Sequence, residues 1–151
     1  EVPMSEPYTN PPATGASGPR ASFGIRFLAF LIDSIIVGAV SGLLFVALKA
    51  VGYALGLVIG LGYYSYFEGS PSGQTIGKRV MNIRVFDYAG GGPLGIGRAL
   101  LRSVGRYVSG LVCLLGYLWM LWDQEKQTWH DKIANTVVVP TESYPVAAWP
   151  G

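Results

Sequence analysis

The sequence predicts a small, mainly α-helical membrane protein built on a transmembrane helical hairpin. Half of the 151 residues are hydrophobic and only 13% are charged. One apolar block extends from Phe27 to Phe67 and contains only two charged residues, Asp33 and Lys49. At about 1.5 Å per helical residue the block is roughly 60 Å long, twice the hydrocarbon core of a bilayer. A chain of this length has room for one domain and for no separate soluble enzyme module.

We expect the hairpin to turn at Lys49, the charge near the middle of the block, which Gly52 follows. The first helix would extend from Phe27 to Leu48 and the second from Val51 to Phe67. Each carries small residues four apart, a spacing that lets membrane helices approach closely. These are Ser34, Gly38 and Gly42 in the first helix and Gly52, Gly56 and Gly60 in the second. Either the two stripes close the hairpin on itself, or one of them docks a partner helix.

Asp33 is an acidic residue inside the first predicted span. It follows Arg26 by seven residues, which places both side chains on nearly the same helix face, about 10 Å apart along the axis. A carboxylate at this depth is costly unless it is paired, protonated or facing a polar cavity. Two interpretations stay open: a structural pair between Asp33 and an arginine of this chain, or a site that couples to protons or cations.

The segment after the hairpin is basic and contains a short strand. Six of the eleven Lys and Arg residues fall between Glu68 and Arg106. By the positive-inside rule we expect this segment and the N-terminal tail to be cytoplasmic. Ile83 to Phe86 is rich in β-branched and aromatic residues and precedes a Gly-Gly-Gly-Pro turn, which predicts a strand.

An amphipathic helix is predicted from Leu94 to Val108. Arg98, Arg102 and Arg106 are four residues apart and so form one stripe, while most apolar residues fall elsewhere. This arrangement is typical of a helix at an anionic membrane surface, with arginines at lipid headgroups. Nucleic-acid binding is disfavoured, because the net charge is only +2 and membrane segments flank the helix. We therefore expect membrane lipids, and no nucleic acid, as partners.

A motif recurs at an offset of 53 residues. Gln74-Thr75, Asn82 and Val85 return as Gln127-Thr128, Asn135 and Val138. Two copies of one unit are expected on the same face of the membrane, where Ile83 to Phe86 can pair with Thr136 to Val139.

The apolar segment between the two copies is too short for two full spans. From Leu94 to Trp122 it is roughly 44 Å long if wholly helical. This favours a surface helix followed by a short or re-entrant membrane segment. The alternative is a plain third span, which would place the C-terminus outside.

These motifs together resemble the RDD family of small bacterial membrane proteins. The residues that carry the resemblance are Arg26, Asp33, Thr75-Ile-Gly-Lys-Arg, Ile83-Arg-Val-Phe-Asp87, His130-Asp131 and Thr136-Val-Val-Val139. The likeness spans residues 21–140, between a proline-rich tail (1–20) that we expect to be disordered and a C-terminal tail (141–151). It assigns the family's arginine and two aspartates to Arg26, Asp33 and Asp131, and it implies a protein of the bacterial cytoplasmic membrane.

The resemblance leaves two function classes open, since some family members are associated with cation/proton exchange and others with larger membrane assemblies. The residue inventory indicates no enzyme: His130, the single histidine, has no nucleophile or second metal ligand at a defensible spacing. No catalytic residue, metal or cofactor is predicted, and His130 is interpreted as an interfacial polar residue.

Chain length favours a role in a larger membrane assembly over cation/proton exchange by this chain alone. Two clear spans and one short segment are too few to line and gate a transport path. We therefore expect a non-enzymatic accessory or scaffold subunit, whose partners are other membrane proteins or further copies of itself. The rival is cation/proton exchange by an oligomer, which requires Asp33 to change its protonation or ligand state.

Overall fold

The computed structural model describes residues 18–112 and 115–149. The predicted N-terminal tail therefore lies outside the described residues except at positions 18–20, and Cys113 lies outside them as well. The described chain is mostly helical with a small antiparallel sheet, as the sequence predicted.

Two long helices form the predicted hairpin. Helix α1 extends from Phe23 to Leu48 and α2 from Ala50 to Glu68. Both are long and apolar enough to cross a membrane. Only Lys49 separates them, in a positive-φ conformation (φ 55°), so the turn lies where its charge predicted.

Close packing in the hairpin comes from the glycines of α2 alone. A Cβ at Gly52 would collide with the carbonyl oxygen of Leu44, and one at Gly56 would lie 2.8 Å from the Ser41 Cβ. A Cβ at Gly60 would lie 2.8 Å from the Tyr107 hydroxyl of a later helix, α4 (Ile96–Leu111). Gly52 contacts Leu44, whereas Gly56, one turn later in α2, contacts Ser41, which comes earlier in α1. The two helices are therefore antiparallel.

The predicted glycine stripe on α1 does not close the hairpin. Nothing lies within 4 Å of a Cβ built at Gly38 or Gly42 in the described structure, and both glycines are exposed. Asp33 is the reason, because this buried acid fixes which face of α1 points inward. Gly38, five residues later, is rotated by about 140° from Asp33. Ser41 takes the place that the sequence assigned to the α1 glycines.

The third apolar segment is bent. Helix α4 extends from Ile96 to Leu111, and α5 (Leu115–Leu118) continues into a 3₁₀ turn, Trp119–Leu121. The two stretches, Ile96–Leu111 and Leu115–Leu121, meet at 110°. The bend matches the predicted short or re-entrant segment. The strand that follows this segment pairs with the strand that precedes it, which favours this interpretation over the alternative of a plain third span.

Two short helix–strand units make up the rest of the domain. Helix α3 (Ile76–Val80) leads into β1 (Ile83–Asp87), and helix α6 (Trp129–Ala134) leads into β2 (Thr136–Pro140). The strands are antiparallel, with Val85 opposite Val138. One sheet face packs on Ala21 and Ala29 at the start of α1. This contact places the sheet beside the N-terminal end of α1, at the open end of the hairpin, opposite the turn at Lys49.

Helix α4 is amphipathic, but its polar side faces inward. Its buried residues are Ala99, Arg102, Ser103, Gly105, Arg106 and Ser109. Its exposed large residues are Ile96, Leu100, Leu101, Val104, Tyr107, Val108 and Leu111. In a membrane, charged side chains face the protein interior and apolar ones face lipid. The outward apolar side of α4 therefore fits a lipid environment.

Candidate functional site

Six charged side chains from five helices converge at the open end of the hairpin, and we call them the ion cluster. They are Arg26 on α1, Glu68 on α2, Lys78 on α3, Arg102 and Arg106 on α4, and Asp131 on α6. None of these side chains is more than 10% exposed. The cluster therefore connects both helices of the hairpin with α3, α4 and α6.

Glu68 is the first acidic centre of the ion cluster. Its carboxylate is 2.9 Å from Lys78 Nζ, 3.0 Å from Arg102 Nε and 2.8 Å from Arg106 Nη2. A carboxylate at the last residue of a helix is opposed by the helix dipole. Three cations offset that repulsion, and the Arg106 guanidinium also lies over the Tyr64 ring at 3.9 Å.

Asp131 is the second acidic centre, and it also caps a helix. Its carboxylate accepts from the backbone N–H of Thr128 while the Thr128 hydroxyl accepts from the Asp131 N–H, a capping box at the start of α6. Arg26 Nη2 donates to it at 2.8 Å, and Arg102 Nη1 donates to its other oxygen. Arg102 thus joins the two acidic centres.

Asp33 lies apart from these ion pairs. Its carboxylate accepts three hydrogen bonds from uncharged groups: 2.6 Å from the Thr75 hydroxyl, 2.8 Å from the Gly77 N–H and 2.7 Å from the Tyr63 hydroxyl. Of the two interpretations that the sequence left open, the pair between Asp33 and an arginine is not formed among the described residues. Arg26 turns to Asp131 instead, and Asp33 fastens α3 to the middle of α1. A Cβ at Gly77 would collide with the Ala29 carbonyl, so only glycine permits this approach.

The predicted outward orientation of the arginine stripe is wrong for Arg102 and Arg106. Both are buried because two acidic centres lie behind α4. Arg98, one turn earlier, is 36% exposed and binds Asp87 at 3.0 Å. This contact, through a hydrogen bond with Arg98, lowers the pKa of Asp87.

A cavity of about 130 Å³ opens beside the ion cluster. Its polar lining consists of Arg26, Asp33, Lys78, Arg102, Arg106, Thr128 and His130, and its apolar lining includes Phe23, Phe27, Phe30, Tyr64, Tyr117 and Leu118. His130 is buried and its ring meets the edge of Tyr117 at 4.9 Å, so the interfacial placement predicted for it is wrong. Burial, and then the nearby cations, hold the pKa of His130 well below its usual value. Burial likewise lowers the pKa of Lys78.

Sequence reasoning missed Glu68 and Lys78 as members of the site. Both were assigned to a basic loop, and only the folded chain shows that they meet. The internal repeat carries one usable signal, because an offset of 53 residues aligns Lys78 with Asp131. An inverted charge at equivalent positions of two neighbouring units suggests that both face the same buried network. Thr75, one partner of Asp33, belongs to the repeated motif, but the sequence did not connect it with Asp33, and Tyr63, another partner, gave no sequence signal.

Comparisons with known proteins give relatives of two kinds. The chain is 40% identical over 77 residues to the proline-rich antigen of Mycobacterium leprae, an overlap of 51% of this chain and 30% of that protein. It is 29% identical over 143 residues to the uncharacterized membrane protein YteJ of Bacillus subtilis, covering 82% of this chain and 83% of that one. An uncharacterized protein of Haemophilus influenzae is also 29% identical, over 127 residues.

The match to the mycobacterial proteins is partial, since it spans about a third of their length. No solved structure is similar to the chain. The model of the RDD family matches residues 20–135, which contain the ion cluster, Asp33 and strand β1. The chain therefore belongs to the RDD family of membrane proteins.

Proposed function

We propose that this protein is a non-enzymatic accessory subunit of a larger membrane assembly. The observation that carries the proposal is the bonding of Asp33. An ion-coupling carboxylate has to exchange protons or ligands during turnover. Asp33 is instead fully buried and accepts three short hydrogen bonds that tie α3 and Tyr63 to α1. This geometry supports a structural role for the residue.

The outer surface of the hairpin supports the same proposal. Gly38 and Gly42 lie one turn apart on an exposed face of α1, where an added Cβ would have no atom of a neighbouring element of the described chain within 4 Å. Exposed small residues in a membrane helix permit the close approach of another helix. The partner we propose for this face is a transmembrane helix of another subunit.

The experiment is purification of the intact protein from its native membrane in mild detergent, followed by identification of stoichiometric partners. Gly42→Leu should abolish co-purification while leaving the thermal unfolding of the isolated chain unchanged. Gly62→Leu, at another exposed glycine with open space around it, is the matched control and should retain the partner. Equal recovery of partners with Gly42→Leu and the wild type would contradict the proposal.

Cation/proton exchange is the second candidate, favoured by the position of Asp33 on the wall of the cavity. It makes a separate prediction for purified protein in liposomes. An exchanger should drive sodium-dependent proton flux that Asp33→Asn abolishes while the chain remains folded. An accessory subunit should show no flux in either form. Robust flux from the wild-type chain alone would overturn the accessory proposal.

A further inference from the structure

We propose that the cavity beside the ion cluster binds the phosphodiester headgroup of an anionic phospholipid, with the acyl chains lying over the aromatic residues at its mouth. This site is separate from the helix-docking face of α1.

The charge balance around the cavity favours an anion. Four cations whose side chains are at most 10% exposed, Arg26, Lys78, Arg102 and Arg106, lie with three buried carboxylates, Glu68, Asp131 and Asp33. His130 adds no charge at neutral pH, because its pKa is lowered. The group as a whole therefore carries one positive charge in excess. Buried charges require compensation, and one phosphodiester supplies a single negative charge.

Two unsatisfied nitrogen atoms mark where the anion would bind. Within residues 18–112 and 115–149, no hydrogen-bond partner reaches Nη1 of Arg106 or Nδ1 of His130. Both residues are more than nine-tenths buried and both line the cavity. Buried guanidinium and imidazole nitrogens in folded proteins are normally hydrogen-bonded. Arg106 presents a charged donor to a phosphate oxygen, and Nδ1 of His130 donates when it carries the ring proton.

The mouth of the cavity matches an amphiphile better than a small soluble anion. Phe23 and Phe27 stack at 6.0 Å near the start of α1, and Phe30 contacts Tyr117 at 5.6 Å. Phe27 is 46% exposed and Leu118 is 38% exposed, so the mouth is open. The start of a membrane-spanning helix lies at headgroup depth, where a lipid phosphate is available. A volume of about 130 Å³ has room for one tetrahedral anion.

The test uses the full chain, delipidated in neutral detergent, with phosphatidylglycerol as the probe. We expect native mass spectrometry to retain one phosphatidylglycerol per chain, and thermal unfolding to shift upward when it is added. Phosphatidylcholine with the same acyl chains has the same phosphodiester but no net charge, and it should bind about tenfold more weakly. Equal binding of the two lipids would overturn the proposal. A comparable stabilisation by inorganic phosphate alone would also overturn it, because the acyl chains would then contribute nothing.

Variants locate the site. Arg106→Lys keeps a cation beside Glu68 but removes the unsatisfied Nη1, and should weaken phosphatidylglycerol binding about tenfold. Arg98→Gln removes a partly exposed arginine of the same helix that does not line the cavity, and should bind the lipid as the wild type does. Leu118→Trp narrows the mouth without touching the ion cluster, and should also lower affinity. If Arg106→Lys does not fold, Leu118→Trp is the variant that tests whether the lipid binds in this cavity. Unchanged lipid binding in a folded Arg106→Lys or in Leu118→Trp would contradict the assignment.

Discussion

Val85 and Val138 face each other across the antiparallel sheet, and they are the same position of the internal repeat. The surrounding hydrogen bonds repeat with the same offset. Tyr88 N–H donates to the Asn135 carbonyl at 3.1 Å, and Thr141 N–H donates to the Asn82 carbonyl at 2.9 Å. Gln74 and Gln127 each donate to the carbonyl nine residues further on. The two units are thus related by an approximate two-fold axis that passes between the two valines.

The repeat predicts that Asn82 and Asn135 have the same structural role. Asn82 and Asn135 both adopt φ of 55° after a short helix, a conformation that asparagine and glycine tolerate better than other residues. Asn135→Ala should lower the free energy of unfolding by about 1–2 kcal/mol, while Asn135→Gly should change it little. Denaturant titration in detergent measures both, with the exposed Glu142→Ala as control. Equal stability of the Ala and Gly variants would refute the conformational explanation.

The two glycine stripes should differ in their effect on stability. Gly56→Leu inserts a side chain where a Cβ alone would lie 2.8 Å from Ser41, so it should destabilise the hairpin by about 1–3 kcal/mol. Gly38→Leu places the same side chain in open space and should leave the unfolding of the isolated chain unchanged. Thermal unfolding in detergent distinguishes them. Similar melting temperatures for both variants would mean that the stripe on α2 does not hold the hairpin together.

The sequence predicted the elements of this fold better than their orientations. Lys49 predicted the position of the turn because a charged side chain is costly inside a membrane-spanning segment. The strand pairing followed from the repeat. The inward face of α1 could not be read from its glycines, because that face is set by the bonds of Asp33 to groups about thirty or more residues later. For the same reason, the burial of Arg102 depends on Glu68 and Asp131, whose arrival from distant segments leaves no local pattern.

Arg102 should be the most sensitive position of the ion cluster. Replacing it with Leu leaves the carboxylates of Glu68 and Asp131 buried with fewer partners, and breaking such a network costs about 3–5 kcal/mol. Lys132→Leu breaks a partly exposed pair with Asp123 and should cost about 1 kcal/mol or less. Unfolding free energies of the two variants provide the test. A loss in Arg102→Leu no larger than in Lys132→Leu would show that the cluster adds little stability.

His130 should make the protein less stable in mild acid. Burial and the neighbouring cations lower its pKa in the folded state, whereas the unfolded chain takes up the proton near the ordinary value of 6.5. Above that pH both states are neutral and the histidine has no effect. Below it only the unfolded state gains the proton, so stability falls by up to about 1.4 kcal/mol per pH unit. Unfolding midpoints measured between about pH 7.5 and pH 5.5 should show this slope, and His130→Phe should lose it. An equal slope in His130→Phe would assign the effect to other groups.

Topology provides the last prediction, because the pairing of β1 with β2 requires both ends of the bent segment to lie on one side of the membrane. The positive-inside rule assigns that side to the cytoplasm, since it carries most of the arginines. Single cysteines at the exposed positions Ala89 and Glu142, introduced after Cys113 is replaced with Ser, should react with a membrane-impermeant thiol reagent only when the cytoplasmic face is open. A cysteine at Lys49, in the exposed turn of the hairpin, should react from the opposite face. Labelling of Ala89 and Glu142 from opposite faces would mean that the segment from α4 to α5 crosses the membrane completely, and the sheet could not then form. Labelling of both from outside would keep the fold and reverse its orientation, which would show that buried arginines such as Arg102 do not count toward the charge rule that orients this chain.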